Sequence, residues 1–213
     1  MKASRGRFVT FEGGEGCGKS TQVKRLAAAL EERGIRVVQT REPGGTPLAE
    51  KVRGLLKDEL SDPPCDCAEL LFFLAARAQL VRNVIRPALE KGAWVLSDRF
   101  SDSTVAYQGY GRGLDIGFIR SANAFACGDV RPDLTLLLDV EPSVSAARMR
   151  KREQATNTTA DRIELAGDDF HARLRAGFLE MAVAEPERIK RLDANGTPDE
   201  VWERVWKSVT PFL

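Results

Sequence analysis

The sequence predicts an α/β fold, with five parallel strands in one sheet flanked by helices. Three observations carry this. Strand-like runs alternate with amphipathic helical runs along the chain, the pattern of βαβ units. One run, Leu134 to Val140, is almost continuously apolar, as a strand covered on both faces must be. Residues 13 to 20 read Gly-Gly-Glu-Gly-Cys-Gly-Lys-Ser and join a strand to a helix with the spacing G-x-x-x-x-G-K-[ST]. A chain of 213 residues can bury one substantial core, so a single domain spanning 1–213 is expected.

The elements follow in order. Phe8-Val9-Thr10-Phe11 reads as a short buried strand. Ser20 to Arg33 is a helix, with Val23, Leu26, Ala27 and Leu30 on one face, ended by Gly34. Ile35 to Thr40 is the second strand. Pro43, Gly44 and Gly45 then set a loop. A helix from Pro47 to Lys57 is broken at Asp62-Pro63-Pro64, and a long helical stretch from Cys67 to Lys91 closes at Gly92. Trp94 to Ser97 is the third strand, ending at Asp98. Helices lie on either side of Gly111 to Gly113. After the central strand, Pro142 to Arg152 is helical, and polar Ala155 to Ala160 predicts a mobile loop. Asp168 to Ala184 is helical, Ile189 to Leu192 is the last strand, and Thr197-Pro198-Asp199-Glu200 opens a final helix with a capping box.

The turn at 13–20 is built for a polyphosphate. Its glycines let successive N–H groups point inward, and the helix behind adds its positive end. Gly13, Gly14, Glu15, Gly16, Cys17, Gly18, Lys19, Ser20 and Thr21 are the candidate ATP-binding residues. Lys19 reaches the β- and γ-phosphates, and the Ser20 hydroxyl ligates Mg²⁺. Asp98, at the carboxyl end of a parallel strand, is well placed to hold Mg²⁺, directly or through water, and Arg99 beside it suits a substrate phosphate.

Composition excludes other classes. The 32 basic and 31 acidic residues leave a net charge of +1, which argues against nucleic-acid or membrane-surface binding. No apolar run is long enough to span a bilayer, and none follows Lys2, Arg5 and Arg7 as in a signal peptide. Cys17, Cys65, Cys67 and Cys127 lack zinc spacing and read as reduced thiols of a cytoplasmic protein. His171, the single histidine, reads as an ordinary helix-surface residue.

Four segments in order resemble the thymidylate kinase family, in its bacterial form with an Arg-rich lid. They are the phosphate loop with Glu15, Thr40-Arg41-Glu42-Pro43-Gly44-Gly45-Thr46, Glu69-Leu70-Leu71-Phe72-Phe73-Leu74-Ala75-Ala76-Arg77, and Asp98-Arg99 through Tyr107-Gln108-Gly109. The resemblance implies a P-loop nucleoside monophosphate kinase fold. It implies transfer of the ATP γ-phosphoryl group, with Mg²⁺, to dTMP on the dTTP pathway, and a homodimer. It implies that Phe73 stacks on thymine and Arg77 hydrogen-bonds a base carbonyl. By the same resemblance Thr104 and Gln108 lie near the base, Tyr107 lies against the sugar, and Glu15 meets the 3′-hydroxyl. Arg53 and Arg99 grip the acceptor phosphate, with Arg41 assisting. Arg148, Arg150 and Arg152 belong to a lid at about 148–164 that brings positive charge to the transferring group. The stretch from Glu153 to Ala160 is longer than usual before Asp161-Arg162-Ile163-Glu164, which leaves open which lid arginine reaches the phosphates.

Besides a catalytically dead scaffold, against which intact Lys19, Ser20, Asp98 and Arg99 argue, two alternatives remain at this level. One is a kinase of the same fold acting on another nucleotide or deoxynucleoside. The other is a GTP-binding switch, which would need an N-K-x-D guanine reader that the sequence lacks. Asp193-Ala194-Asn195-Gly196 fits D-x-x-G but lies too late in the chain.

Overall fold

In the computed structural model, which describes residues 5–57, 62–156 and 166–213, five strands form one parallel sheet. They are β1 (Phe8–Glu12), β2 (Val37–Arg41), β3 (Trp94–Asp98), β4 (Leu134–Asp139) and β5 (Ile189–Asp193). Their order is β2-β3-β1-β4-β5. Every residue of β1 and β4 is buried, whereas edge strand β2 has only half-buried and exposed positions. That difference explains why the two central strands read as unbroken runs. The chain leaves β1 toward one edge and β4 toward the other, so a crevice opens above their carboxyl ends. Register pairs Phe11 with Asp98, which sets the turn after β1 beside the end of β3.

Helices cover both faces. On one side α1 (Lys19–Glu31) and α9 (Pro198–Val209) bring Val23, Leu26, Leu30, Val201 and Val205 against Val9, Phe11, Leu136 and Leu138. The other side carries α3 (Asp66–Leu80), α4 (Arg86–Glu90), α5 (Ser101–Thr104), α6 (Ile116–Cys127) and α8 (Asp168–Ala184). Outside them, α2 (Pro47–Lys57) packs Ala49, Val52 and Leu56 on Ala76 of α3. The capping box at Thr197 and Glu200 is formed in both directions.

Four expectations change. The stretch expected as one helix from Cys67 to Lys91 starts at Asp66 and contains a π-helical turn, Val81–Ile85, between α3 and α4. Pro87 accounts for it, because its ring would crowd the carbonyl of Asn83 in a regular α-helix. Helices do lie on either side of the Gly111–Gly113 stretch, but the first takes in Gly111, since α5 runs on as a π-helical segment, Val105–Gly111. Gly111 is there for close approach: a Cβ would meet the Phe170 ring at 2.5 Å. The second strand begins at Val37, two residues later than expected. Finally, α7 (Pro142–Thr156) runs past Arg152 and takes in Ala155 and Thr156, expected as loop. Arg, Lys, Glu, Gln and Ala are strong helix formers, so polarity alone does not end a helix. The rest of that loop, and Asp161-Arg162-Ile163-Glu164, lie outside the described residues.

Candidate active site

A cleft of about 610 Å³ lies over the carboxyl ends of the strands. It gathers residues from the turn after β1, the loop after β2, α2, α3, the end of β3, the helix after it, and α7. Of the sequence-predicted residues, Glu15 to Thr21, Arg41, Arg53, Phe73, Arg77, Asp98, Arg99, Thr104, Tyr107, Gln108, Arg148 and Arg152 line it. Gly13 and Gly14 stand behind the lining. Arg150 is exposed and does not border the cleft.

At the phosphate end, Gly13 has φ 134°, and a Cβ there would meet the Leu138 carbonyl oxygen at 2.5 Å. Glycine thus lets the turn close onto β4. Lys19 is buried, and its Nζ donates to the carbonyls of Gly13 (3.2 Å) and Gly14 (2.8 Å), with Cys17 Sγ at 3.4 Å. The Ser20 hydroxyl donates to Asp98 Oδ2 at 2.5 Å. One hydroxyl and one carboxylate in contact form a hard oxygen set, which suits Mg²⁺ if phosphate oxygens and water complete the shell. No cluster of three or more His, Cys, Asp or Glu side chains exists among the described residues to hold a metal alone. Arg148 binds the carbonyls of Ala194 (3.0 Å) and Gly196 (2.7 Å) and ties α7 to the loop after β5.

Arg99 occupies the middle of the cleft with a left-handed backbone, φ 73°. Such a conformation persists only where neighbours over-determine it. Here Phe11 O accepts the Arg99 N–H, and the guanidinium donates to Gly13 O, Ser103 Oγ and Glu15 Oε1. The guanidinium carbon also lies 4.8 Å from the centre of the Tyr107 ring. Tyr107 in turn donates to Glu15 Oε1 at 3.0 Å. Burial would push the Glu15 carboxyl up, but Arg99 and Lys19 overcome it and bring it down to about 2.

Under Arg99 sits Glu12, a residue the sequence reading passed over. It is fully buried and accepts from Phe100 N (2.8 Å), Ser103 N (3.3 Å) and Ser103 Oγ (2.5 Å). The signal was available, since a carboxylate closes an otherwise uncharged strand. Burial, with Asp102 nearby, lifts this carboxyl from the ordinary 4.5 to about 8. A raised carboxyl value means that the folded state holds the proton more tightly. Its contribution to stability is therefore full below pH 4.5 and declines as pH rises to about 8. Urea midpoints of the parent and Glu12→Gln should thus diverge across that window, with the parent losing up to about 1.4 kcal/mol per pH unit relative to the variant. Parallel stability curves would contradict the assignment.

At the other end of the cleft, Phe72 and Phe73 are both half-buried against the α2–α3 contact, but only Phe73 borders the cleft. Arg77 is almost wholly buried, in a forked ion pair with Glu42. It also donates to Asn123 Oδ1 (2.6 Å) and Phe100 O (3.2 Å). Those contacts use four of the five guanidinium hydrogens and leave one on Nη1. Thr104 Oγ1 is buried with no hydrogen-bond partner among the described residues. A buried orphan hydroxyl beside a cleft is a place for a ligand atom. Gln108 Nε2 donates to buried Glu69 at 2.8 Å. Glu42, Glu69 and Asn123 were not singled out from sequence, although the first two stand inside segments that were.

Two further arginines have protein contacts. Arg53 Nη1 donates to Pro43 O at 3.0 Å, and Arg41 pairs with Glu50 at 3.0 Å near the surface. His171 lies half-buried on α8 and does not line the cleft.

A parallel sheet in this order, a G-K-S turn on its central strand, and a cleft running on from that turn define a P-loop kinase of the nucleoside monophosphate type. The thymidylate kinase family model matches residues 11–205. A thymidylate kinase of Magnetococcus marinus is 47% identical over 205 residues, covering 96% of each chain. One from Cereibacter sphaeroides is 48% identical over 213 residues, covering 99% of this chain and 97% of its own. Among solved structures, a thymidylate kinase from Ehrlichia chaffeensis superposes with a TM-score of 0.76 at 36% identity, covering 96% of this chain and 99% of that one. The chain belongs to the thymidylate kinase family, and so to the phosphotransferases.

Proposed function

We propose that this enzyme transfers the γ-phosphoryl group of ATP to the 5′-phosphate of dTMP, forming dTDP and ADP. One observation carries the reading: a single cleft joins a phosphate cradle at Lys19 and Ser20 to a pocket at Phe73, Arg77 and the orphan Thr104 hydroxyl. The acceptor phosphate oxygen is anionic at neutral pH and needs no general base. Catalysis is positioning and charge stabilisation.

In this reading the turn from Gly13 to Thr21 cradles the donor phosphates and Lys19 contacts them. Ser20 and Asp98 would hold Mg²⁺, which would supply neutralisation of phosphate charge. Arg99 and Arg53 orient the acceptor phosphate, and Arg41 assists once released from Glu50. Glu15, ionised at working pH, accepts from the 3′-hydroxyl, and Tyr107 closes the sugar side. Phe73 stacks on the base, while the spare Nη1 hydrogen of Arg77 meets a base carbonyl. Arg148 and Arg152, which line the cleft, serve as lid arginines in this reading; Arg150 would need α7 to move. The test is an ADP-release assay across dTMP, dUMP, dCMP, CMP, AMP and thymidine. A strong preference for any acceptor other than dTMP would remove this substrate assignment.

We also read the enzyme as a cytoplasmic homodimer with no nucleic-acid or membrane partner. All four cysteines are free, and no helix among the described residues is long and apolar enough to cross a membrane. Leu71 on α3 and Phe118 and Phe125 on α6 are exposed, Phe125 by 92%, on helices that pack together. Phe118 and Phe125 stand seven residues apart on one face of α6, which is costly unless covered, and a second copy covers it symmetrically. Phe125→Asp should convert a dimer to a monomer in sedimentation velocity. A dimer that survived the change would place the seam elsewhere.

A further inference from the structure

The base end of the cleft contains a selector that does not itself line it. Glu69 of α3 is 1% exposed and accepts from Gln108 Nε2 on its Oε1. The Arg112 guanidinium reaches both of its oxygens, at 3.4 Å and 3.2 Å. A carboxylate paired with an arginine can only accept, so the Gln108 amide has one allowed orientation, nitrogen toward Glu69. The Gln108 side chain makes no other hydrogen bond among the described residues. Its oxygen is the polar atom left for a ligand, and the residue lines the cleft, as Thr104 and Phe73 do.

Resting on the dTMP reading above, we propose that Glu69 sets pyrimidine specificity by fixing Gln108 so that it offers the base an acceptor. Thymine and uracil carry a ring N3–H that this acceptor satisfies, and a carbonyl at position 4 for the Arg77 hydrogen. Cytosine presents a bare ring nitrogen to the Gln108 oxygen and an amino group to the arginine. Both contacts then set like against like. Discrimination of this kind is steep because buried polar groups are left unpaired by the wrong base. Glu69 touches no substrate atom and is a positioning residue.

Glu69→Leu tests this. The apolar side chain gives the Gln108 nitrogen no acceptor, so the amide is free to turn and offer the base a donor instead. Values of kcat/KM for dTMP and dCMP, with melting temperature as a control, are the measurements. The ratio of dTMP to dCMP should fall at least tenfold, with KM for ATP unchanged. A ratio within twofold of the parent's, in a folded variant, overturns the inference. If the variant does not fold, Gln108→Leu removes the same acceptor and should lower the ratio likewise; a full ratio there also overturns it. A parent that fails to phosphorylate dTMP would instead defeat the functional reading itself.

Discussion

Lys19→Ala is expected to lower kcat by about 10²–10³-fold, the loss that follows removal of one preorganised donor from a developing charge. The melting temperature should change little. Lys19 Nζ bonds only loop carbonyls and the Cys17 sulfur, and truncation lets water reach those carbonyls. The apolar face of α1, with Leu26 and Leu30 fully buried, is untouched. KM for dTMP should move less than kcat, because the ammonium belongs to the donor end of the cleft. Lys19→Arg should not rescue. Nζ sits among Gly13 O, Gly14 O and Cys17 Sγ, where a planar guanidinium does not fit. Single-turnover rates and calorimetry on the three proteins decide it. Near-parental turnover in the alanine variant would remove Lys19 from the chemistry.

The position of Lys19 in the cleft was legible because it is written locally: eight adjacent residues specify strand end, turn and helix start. The same holds for β4, whose continuous apolarity forecast a fully buried strand, and for the Thr197–Glu200 box. What sequence could not yield is pairing between distant segments. Glu12 meets Ser103, Glu42 meets Arg77, and Glu69 meets Arg112, each across more than thirty residues. Every one of those carboxylates stood in or beside a segment that had been noticed, yet nothing in local periodicity says which cation it will face. The π-helical turns were missed for another reason. Each is a short wider segment inside a helical run, and spacing read over the whole run does not resolve it. The positive φ of Arg99 leaves no sequence mark at all, because arginine is not a residue that announces a left-handed turn.

The pairing of Arg77 with Glu42 changes what mutation at the base pocket should do. From sequence, Arg77→Ala is expected to weaken dTMP far more than ATP. In the fold, Arg77 also neutralises Glu42, whose side chain is 4% exposed. Burial lifts the Glu42 carboxyl and the arginine opposes that. Removing one partner of a buried pair costs roughly 3–5 kcal/mol, a large part of the stability of a domain this size. Arg77→Ala should therefore lower the melting temperature by several degrees as well as raise KM for dTMP. The specific effect needs a variant that keeps the charge. Arg77→Lys places an ammonium near Glu42 but cannot also reach Asn123, Phe100 O and the base, since it has three donors on one atom against a five-donor fork. It should retain most of the lost stability and still raise KM for dTMP about tenfold or more, with KM for ATP within twofold. The two substitutions thus separate the ion pair from the base contact. If Arg77→Lys raised both KM values equally, the arginine would be a core residue that happens to border the cleft, and the base-reading role would fall to Thr104 and Gln108.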